Sequence, residues 1–370
     1  MRPFFISMHL ILDAHEDIAY NMLAFGRDYT RSAYQTRQRE AQTQIPKQNG
    51  TCLLGIPEHR QGNVAITFAT LFAAPRRRQI ATWDTYVYKD ADEAHKLYRD
   101  QLDLYRRLDE ENPEDFRLIR TARELNLHLS EWQDTEETRP HPLGLIPLME
   151  GADAVREPEE LEEWWALGVR MIGPAWAGTR YTGGTGEPGP LTDDGRALLE
   201  IMVELGFILD LSHMDEAAAL ESLDRYTGKF LASHSNAKAL LPHSQSNRHI
   251  SDHVIRSIIE RGGVIGIVPF NAFLQDGWKL ADGREQITLQ HVAAQIDHIC
   301  QLAGDAAHVG IGSDFDGGFG LECVPQEIDT IADLQKLAPL LSEWGYTDAD
   351  IGQIFSKNFI EHLENSLPKS

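Results

Sequence analysis

The chain has 370 residues, 42% of them hydrophobic, and carries 57 acidic against 34 basic residues for a formal charge of −23. That content fills a sizeable core, in one large barrel or two average domains. The acidic balance speaks against a nucleic-acid partner and against an anionic membrane surface, since both need clustered Lys and Arg.

The chain opens with an apolar run over residues 4–12 that Ser7 and His9 interrupt and that leads straight into charged residues. It reads neither as a signal peptide nor as a membrane span, and no C-terminal anchor signal is visible. A soluble, cytoplasmic protein is expected. Cys52, Cys300 and Cys323 are few and far apart, so neither a disulfide framework nor a thiolate zinc site is expected.

Short runs rich in Val, Ile, Leu and Phe recur near residues 9–13, 64–71, 143–148, 169–173, 207–211, 230–233, 263–268 and 308–312. Parallel strands buried on both faces read this way. Helical stretches such as 198–205 and 254–261 lie between them. Eight strands alternating with helices predict a (β/α)₈ TIM-type barrel, a doubly wound open sheet being the other arrangement of the same elements. One domain over 1–370 is expected. The densely charged helical segment within 74–142 reads as an excursion outside the barrel, and the glycine- and proline-rich stretch 178–190 as a loop over the site.

In such a barrel the chemistry stands at the carboxyl ends of the strands. The first strand runs into Asp13-Ala14-His15-Glu16-Asp17, where His15 and Asp17, two apart, share one side of an extended segment. The third ends in Glu150-Gly151, the fifth in Asp210-Leu211-Ser212-His213, the sixth in Ser233-His234-Ser235, and the eighth in Gly312-Ser313-Asp314-Phe315-Asp316-Gly317. Taken singly, each has an ordinary reading: a hydrogen-bonded core histidine, a loop carboxylate, an Asp-Gly turn. Their coincidence at strand ends points to a divalent-metal site. Imidazoles and carboxylates without thiolates suit Zn²⁺ and also accept Mn²⁺, Co²⁺ or Fe²⁺. The donors outnumber what one zinc needs, which points to two ions.

These residues resemble those of the membrane (renal) dipeptidase family, within the amidohydrolase-like, metallo-dependent hydrolase barrels. The resemblance runs nearly end to end and extends to Pro190-Leu191-Thr192, Gly195, Arg248, Asp252 and Asn358-Phe359. It implies a binuclear zinc centre with His15 and Asp17 on one ion, His213 and His234 on the other, and Glu150 between them. It further implies a hydroxide shared by the metals as nucleophile, Asp314 as proton shuttle, and Arg248 on the terminal carboxylate of a dipeptide. A D-residue at the C-terminal position and a homodimer are implied as well. Asp316 is expected to shape its loop, and Asn271, after the seventh strand, to line the pocket. This sequence departs from the family after the fourth strand, where Gly173-Pro174-Ala175-Trp176-Ala177 puts Trp176 in place of a histidine thought to assist at the carbonyl oxygen. An indole donates one hydrogen bond and carries no charge, which leaves the substrate open. Other small amides, N-acyl amino acids or lactones are the alternative substrates, and a catalytically silent ligand-binding barrel is the reading from another class.

Overall fold

A computed structural model describes residues 8–134 and 140–369; the first part of the apolar run at 4–12 lies outside the described residues. The chain folds as a (β/α)₈ barrel of strands β1 (Ile11–Glu16), β2 (Val64–Leu71), β3 (Leu143–Glu150), β4 (Met171–Gly173), β5 (Ile208–Asp210), β6 (Phe230–Leu231), β7 (Ile265–Ile267) and β8 (Val309–Ile311). Neighbours pair parallel in chain order, and β8 returns to β1 through Asp13 and Ile311. Between β6 and β7 the ring closes by one parallel bridge, Ala232 to Ile265. Glycine permits this seam. A Cβ on Gly266 or on Gly312 would fall 1.9 Å from the Ser233 carbonyl oxygen, so only a bare backbone lets the sixth strand approach its neighbours there.

Every residue of β1, β2 and β3 is buried, as expected of strands covered on both faces. Leu12, Ile66, Phe68, Ile146 and Leu148 pack with Leu125 and Leu129 of the helix Ala122–Gln133 and with Phe359 and Leu363 of the helix Asn358–Glu364. Each such side chain contributes roughly 1.5–3 kcal/mol on burial. Asn358 anchors its helix by donating from Nδ2 to the carbonyls of Ala306 at 2.6 Å and Val309 at 2.8 Å. His15, next to the end of β1, brings its Nε2 to 3.6 Å from Glu150 Oε2. Glu16 meets His59 Nε2, in the helix Ile56–Gln61, at 3.0 Å.

The described parts of the segment 74–142 run outside the ring and brace it. Its helix Ala91–Glu111 is capped by Asp90, whose side chain accepts from the Glu93 N–H. Tyr98, Gln101 and Tyr105, three to four residues apart on one face, reach the strand ends. Tyr98 donates to the Glu150 carbonyl at 2.5 Å, Tyr105 to the Thr70 carbonyl at 2.8 Å, and Gln101 Oε1 accepts from the Phe72 N–H at 3.0 Å. The segment also supplies a further strand, Phe116–Leu118, parallel to the first residues of β3.

The stretch 178–190, expected as a loop, folds largely into an antiparallel hairpin, Thr182–Gly184 with Glu187–Leu191. Thr185-Gly186 make its two-residue turn, Gly186 at φ 71°. The Gly/Pro content hid the strand pattern. Among the described residues no helix is long and apolar enough to cross a membrane.

Candidate metal centre

The carboxyl ends of the strands bring six of the sequence-predicted side chains together. His15 is the penultimate residue of β1 and Asp17 follows that strand; Glu150 is the last residue of β3. His213, His234 and Asp314 follow β5, β6 and β8. His213 and Asp314 are turned inward by left-handed backbone, at φ 66° and 56°, a conformation that costs a non-glycine residue roughly 1–2 kcal/mol. Strain of this kind persists where the surroundings demand one side-chain direction.

Glu150 lies between the imidazoles. Its Oε2 is 3.6 Å from His15 Nε2, while Oε1 is 3.2 Å from His213 Nε2 and 3.3 Å from His234 Nε2. The His213 and His234 Nε2 atoms are 3.0 Å apart. Two overlapping groups of donor atoms result, each within 4.8 Å: His15, Glu150 and His234 in one, and His15, Asp17 and Asp314 in the other.

The imidazoles are held from behind by residues to which sequence reasoning gave no role. His234 Nδ1 meets Ser233 Oγ at 2.7 Å, and that hydroxyl donates to Asp210 Oδ2 at 2.5 Å. Since the Ser233 proton goes to Asp210, its oxygen accepts from His234 Nδ1–H, which leaves the lone pair on Nε2 facing the centre. Asp210 Oδ1 also accepts from the Ser212 and Ser233 N–H groups at 3.0 and 2.9 Å. His213 Nδ1 meets Thr185 Oγ1, from the hairpin turn, at 2.9 Å. Across the barrel Asp13 accepts from the Ser313 N–H at 2.6 Å and from its hydroxyl. Asp17 accepts from the Thr70 hydroxyl. The signal available in the sequence was an Asp at the end of one strand and a Ser beside a His at the end of the next.

Burial pulls the His15 imidazole down, but the Glu150, Asp314 and Asp17 carboxylates outweigh it and hold the group at about 10. Burial, and then Arg248, press His213 down to about 4, and burial with His15 depresses His234. Burial raises Asp17 to about 6 and pushes Asp314 well above the usual carboxylate range, against the pull of His15. Carboxylates thus converge where the two imidazoles behind them are neutral, and the point between them calls for positive charge. Both ring nitrogens of His15 are buried without a hydrogen-bond partner, a deficit of roughly 1–3 kcal/mol for each polar atom left so. Three imidazoles and three carboxylates converging on one point are donor types that suit a borderline divalent cation, so the residues fit a metal ion.

A cavity of about 250 Å³ opens over this centre, lined by Asp17, Glu150, His213, Asp314, Arg248 and Trp176 among others. Arg248 is 4% exposed; Nη2 donates to the His234 carbonyl at 2.6 Å and Nη1 to Ser235 Oγ at 3.3 Å, while Nε has no partner. Trp176 packs on Phe72 with ring centroids 5.0 Å apart and lies 6.3 Å from the His213 ring. Asn271 does not join them. It is fully buried, donates to the Val324 carbonyl at 3.2 Å, and leaves Phe270 and Phe273 to line that side; as first residue of the short helix Asn271–Leu274 it is turned from the cavity. Asp316 is bound into its loop by Arg27 at 2.9 Å, Tyr29 at 2.8 Å and the Leu53 N–H at 2.8 Å.

The model of the membrane dipeptidase family, peptidase family M19, matches residues 4–366. The chain is 26% identical over 347 residues to the uncharacterized dipeptidase C965.12 of Schizosaccharomyces pombe, covering 90% of this chain and 73% of that protein. Dipeptidase AC, a metallopeptidase of family M19, superposes with a TM-score of 0.77 at 25% identity over 98% of this chain and all (100%) of that one. A metallopeptidase from Rhodobacter sphaeroides liganded with a phosphinate mimic of the dipeptide L-Ala-D-Ala superposes with a TM-score of 0.77 at 24% identity, over 97% and 99% of the two chains. Groups able to hold a metal stand at the mouth of a barrel that this family shares, and the chain belongs to the membrane dipeptidase family, as a metal-dependent dipeptidase.

Proposed function

We propose that the centre takes two zinc ions, one held by His15 and Asp17 and the other by His213 and His234, with Glu150 shared, and that the chain hydrolyses free dipeptides, including those with a D-residue at the C-terminal position. The observation that carries this reading is the place of Glu150, one oxygen toward His15 and the other toward His213 and His234. Bound there, two divalent cations supply polarisation of the scissile carbonyl and a hydroxide nucleophile from water at neutral pH.

The protein's own groups do the rest. Asp314 accepts the proton of the attacking water and returns it to the leaving amine, a task suited to a carboxyl that burial already inclines toward the protonated form. Arg248, with Nε unpartnered on the cavity wall, takes the terminal carboxylate. Trp176 closes the side where the family carries a histidine and walls off water there; its indole offers one hydrogen bond and no charge to that side of the cavity. The D-residue rests on the Rhodobacter sphaeroides protein of like fold, which carries a mimic of L-Ala-D-Ala. The sparse cysteines, free in the structure, support a reducing, cytoplasmic setting for one barrel domain over the whole chain.

Elemental analysis of protein purified without chelator, beside a panel of L,L and L,D dipeptides, tests the reading. About two zincs per chain with dipeptide turnover is the expected result. Metal without dipeptide turnover sends the search to other small amides, and a folded chain that binds no metal overturns the mechanism.

A further inference from the structure

The cavity has two poles. Arg248 stands at one, beside Phe270 and Phe273 beyond β7, and the wall made by Tyr20, Phe72, Trp83 and Asp84 beyond β1 and β2 stands at the other. A dipeptide that places its carboxylate on Arg248 and its scissile bond at Glu150 extends its N-terminal residue toward the second pole.

That pole is aromatic and ends in a single carboxylate. The Tyr20 ring meets Phe72 edge-on at 5.5 Å and Phe25 at 6.0 Å, and Phe25 lies 6.3 Å from Trp83. Asp84 is 6% exposed and lines the cavity. Its Oδ2 accepts one weak hydrogen bond, from the Ile80 N–H at 3.3 Å, while Gln79 Nε2 donates at 2.5 Å to its backbone carbonyl and folds the segment around it. Among the described residues no Lys, Arg or His forms an ion pair with Asp84. Arg78, the exposed cationic side chain of this wall, lies over the Trp176 ring at 6.0 Å. Burial, and then the Asp84 and Asp17 charges, hold the Tyr20 phenol above its ordinary range.

A carboxylate sequestered in aromatic surroundings without a counter-charge is costly, and an arriving cation recovers that cost. Ammonium and guanidinium groups also gain from the flanking ring faces. We propose that Asp84 selects dipeptides whose N-terminal residue carries a cationic side chain, a specificity that rests on the dipeptidase reading above. Lysine and arginine place their charge beyond an apolar stem that the aromatic wall accommodates. A neutral side chain of the same shape leaves Asp84 unpaired.

The test compares Lys-Ala with norleucyl-Ala, which differ by the ammonium group alone, on the metal-loaded enzyme. Wild type is expected to favour Lys-Ala by about tenfold or more in kcat/KM, chiefly through KM. Asp84→Asn should bring the ratio to about one, and Asp84→Glu should restore part of it. A wild-type ratio near one, or a ratio that Asp84→Asn leaves unchanged, overturns the proposal. Binding followed by the fluorescence of Trp83 and Trp176, both on the cavity wall, separates this from the reading beneath it. If wild type cleaves no dipeptide, the dipeptidase reading fails, while about tenfold tighter binding of Lys-Ala than of norleucyl-Ala still supports the role of Asp84; equal binding overturns it.

Discussion

His213 and His234 meet Nε2 to Nε2 at 3.0 Å, although no proton need lie between them. Ser233, committed to Asp210 as donor, fixes His234 with its proton on Nδ1. Two neutral imidazoles that present lone pairs to one point are an arrangement a cation stabilises and water does not. What holds them there therefore acts on metal affinity before it acts on the reaction.

Ser233→Ala removes the acceptor of His234 Nδ1–H and leaves Asp210 one donor short. Metal affinity measured by chelator competition is expected to fall roughly 10–100-fold, with the circular dichroism unchanged. Wild-type affinity in this variant would remove Asp210 and Ser233 from any part in setting the centre.

Glu150 touches all three imidazoles, so its charge is common to both halves of the centre. If the centre takes the two ions proposed, Glu150→Gln should lower the affinity for both in parallel, by at least about 1.4 kcal/mol or tenfold each, read by titrating metal back into stripped protein. Loss of a single ion with the other held at wild-type strength contradicts the shared role.

Asp314 is joined to β1 through its backbone, donating N–H to the His15 carbonyl at 3.1 Å, and its carboxylate lies 3.9 Å from His15 Nε2. Asp314→Asn keeps the shape and the backbone bond while abolishing proton transfer. Turnover is expected to drop about 10²–10⁴-fold with metal content near wild type. Full activity in this variant ends the assignment.

The barrel was legible because buried parallel strands leave continuous apolar runs, and each of the eight runs from 9–13 to 308–312 contains or overlaps a strand. The centre was legible because chemistry at strand ends needs residue types that rarely cluster by chance. What stayed hidden depends on direction. Asp210 and His213 stand in the same tetrapeptide, yet only the structure turns one back to Ser233 and the other into the centre. Asn271 follows its strand as a pocket residue should, but the chain turns into a helix there and buries it. Tyr98, Gln101 and Tyr105 share a helix face whose target, the ends of β2 and β3, no local pattern names.

Arg248 is buried with two of its nitrogens on the His234 carbonyl and Ser235, so it also positions the turn that carries His234. Arg248→Lys keeps the charge and loses the planar fork. KM for dipeptides is expected to rise about 10–100-fold with a smaller change in kcat. An unchanged KM places the terminal carboxylate elsewhere.

A pH effect on stability follows from His128, far from the centre in sequence and packed against Trp132 and the start of β3. The ring is fully buried, donates from Nε2 to the Ala65 carbonyl at 2.8 Å, and has no partner for Nδ1. Burial, only partly opposed by that bond, lowers it from 6.5 to about 4. Above the unfolded value both states are neutral and the group is silent. Between the two values the unfolded chain binds a proton that the folded one refuses, so stability falls as pH falls through that window. From pH 7.5 to 5 the loss assigned to His128 is about 2 kcal/mol. Urea unfolding of wild type and His128→Gln at both pH values isolates it, because acid loss of metal is common to the two proteins and cancels in the difference. The variant should lose about 2 kcal/mol less than wild type between the two pH values; equal losses would mean that the folded ring takes up its proton as readily as the unfolded chain does.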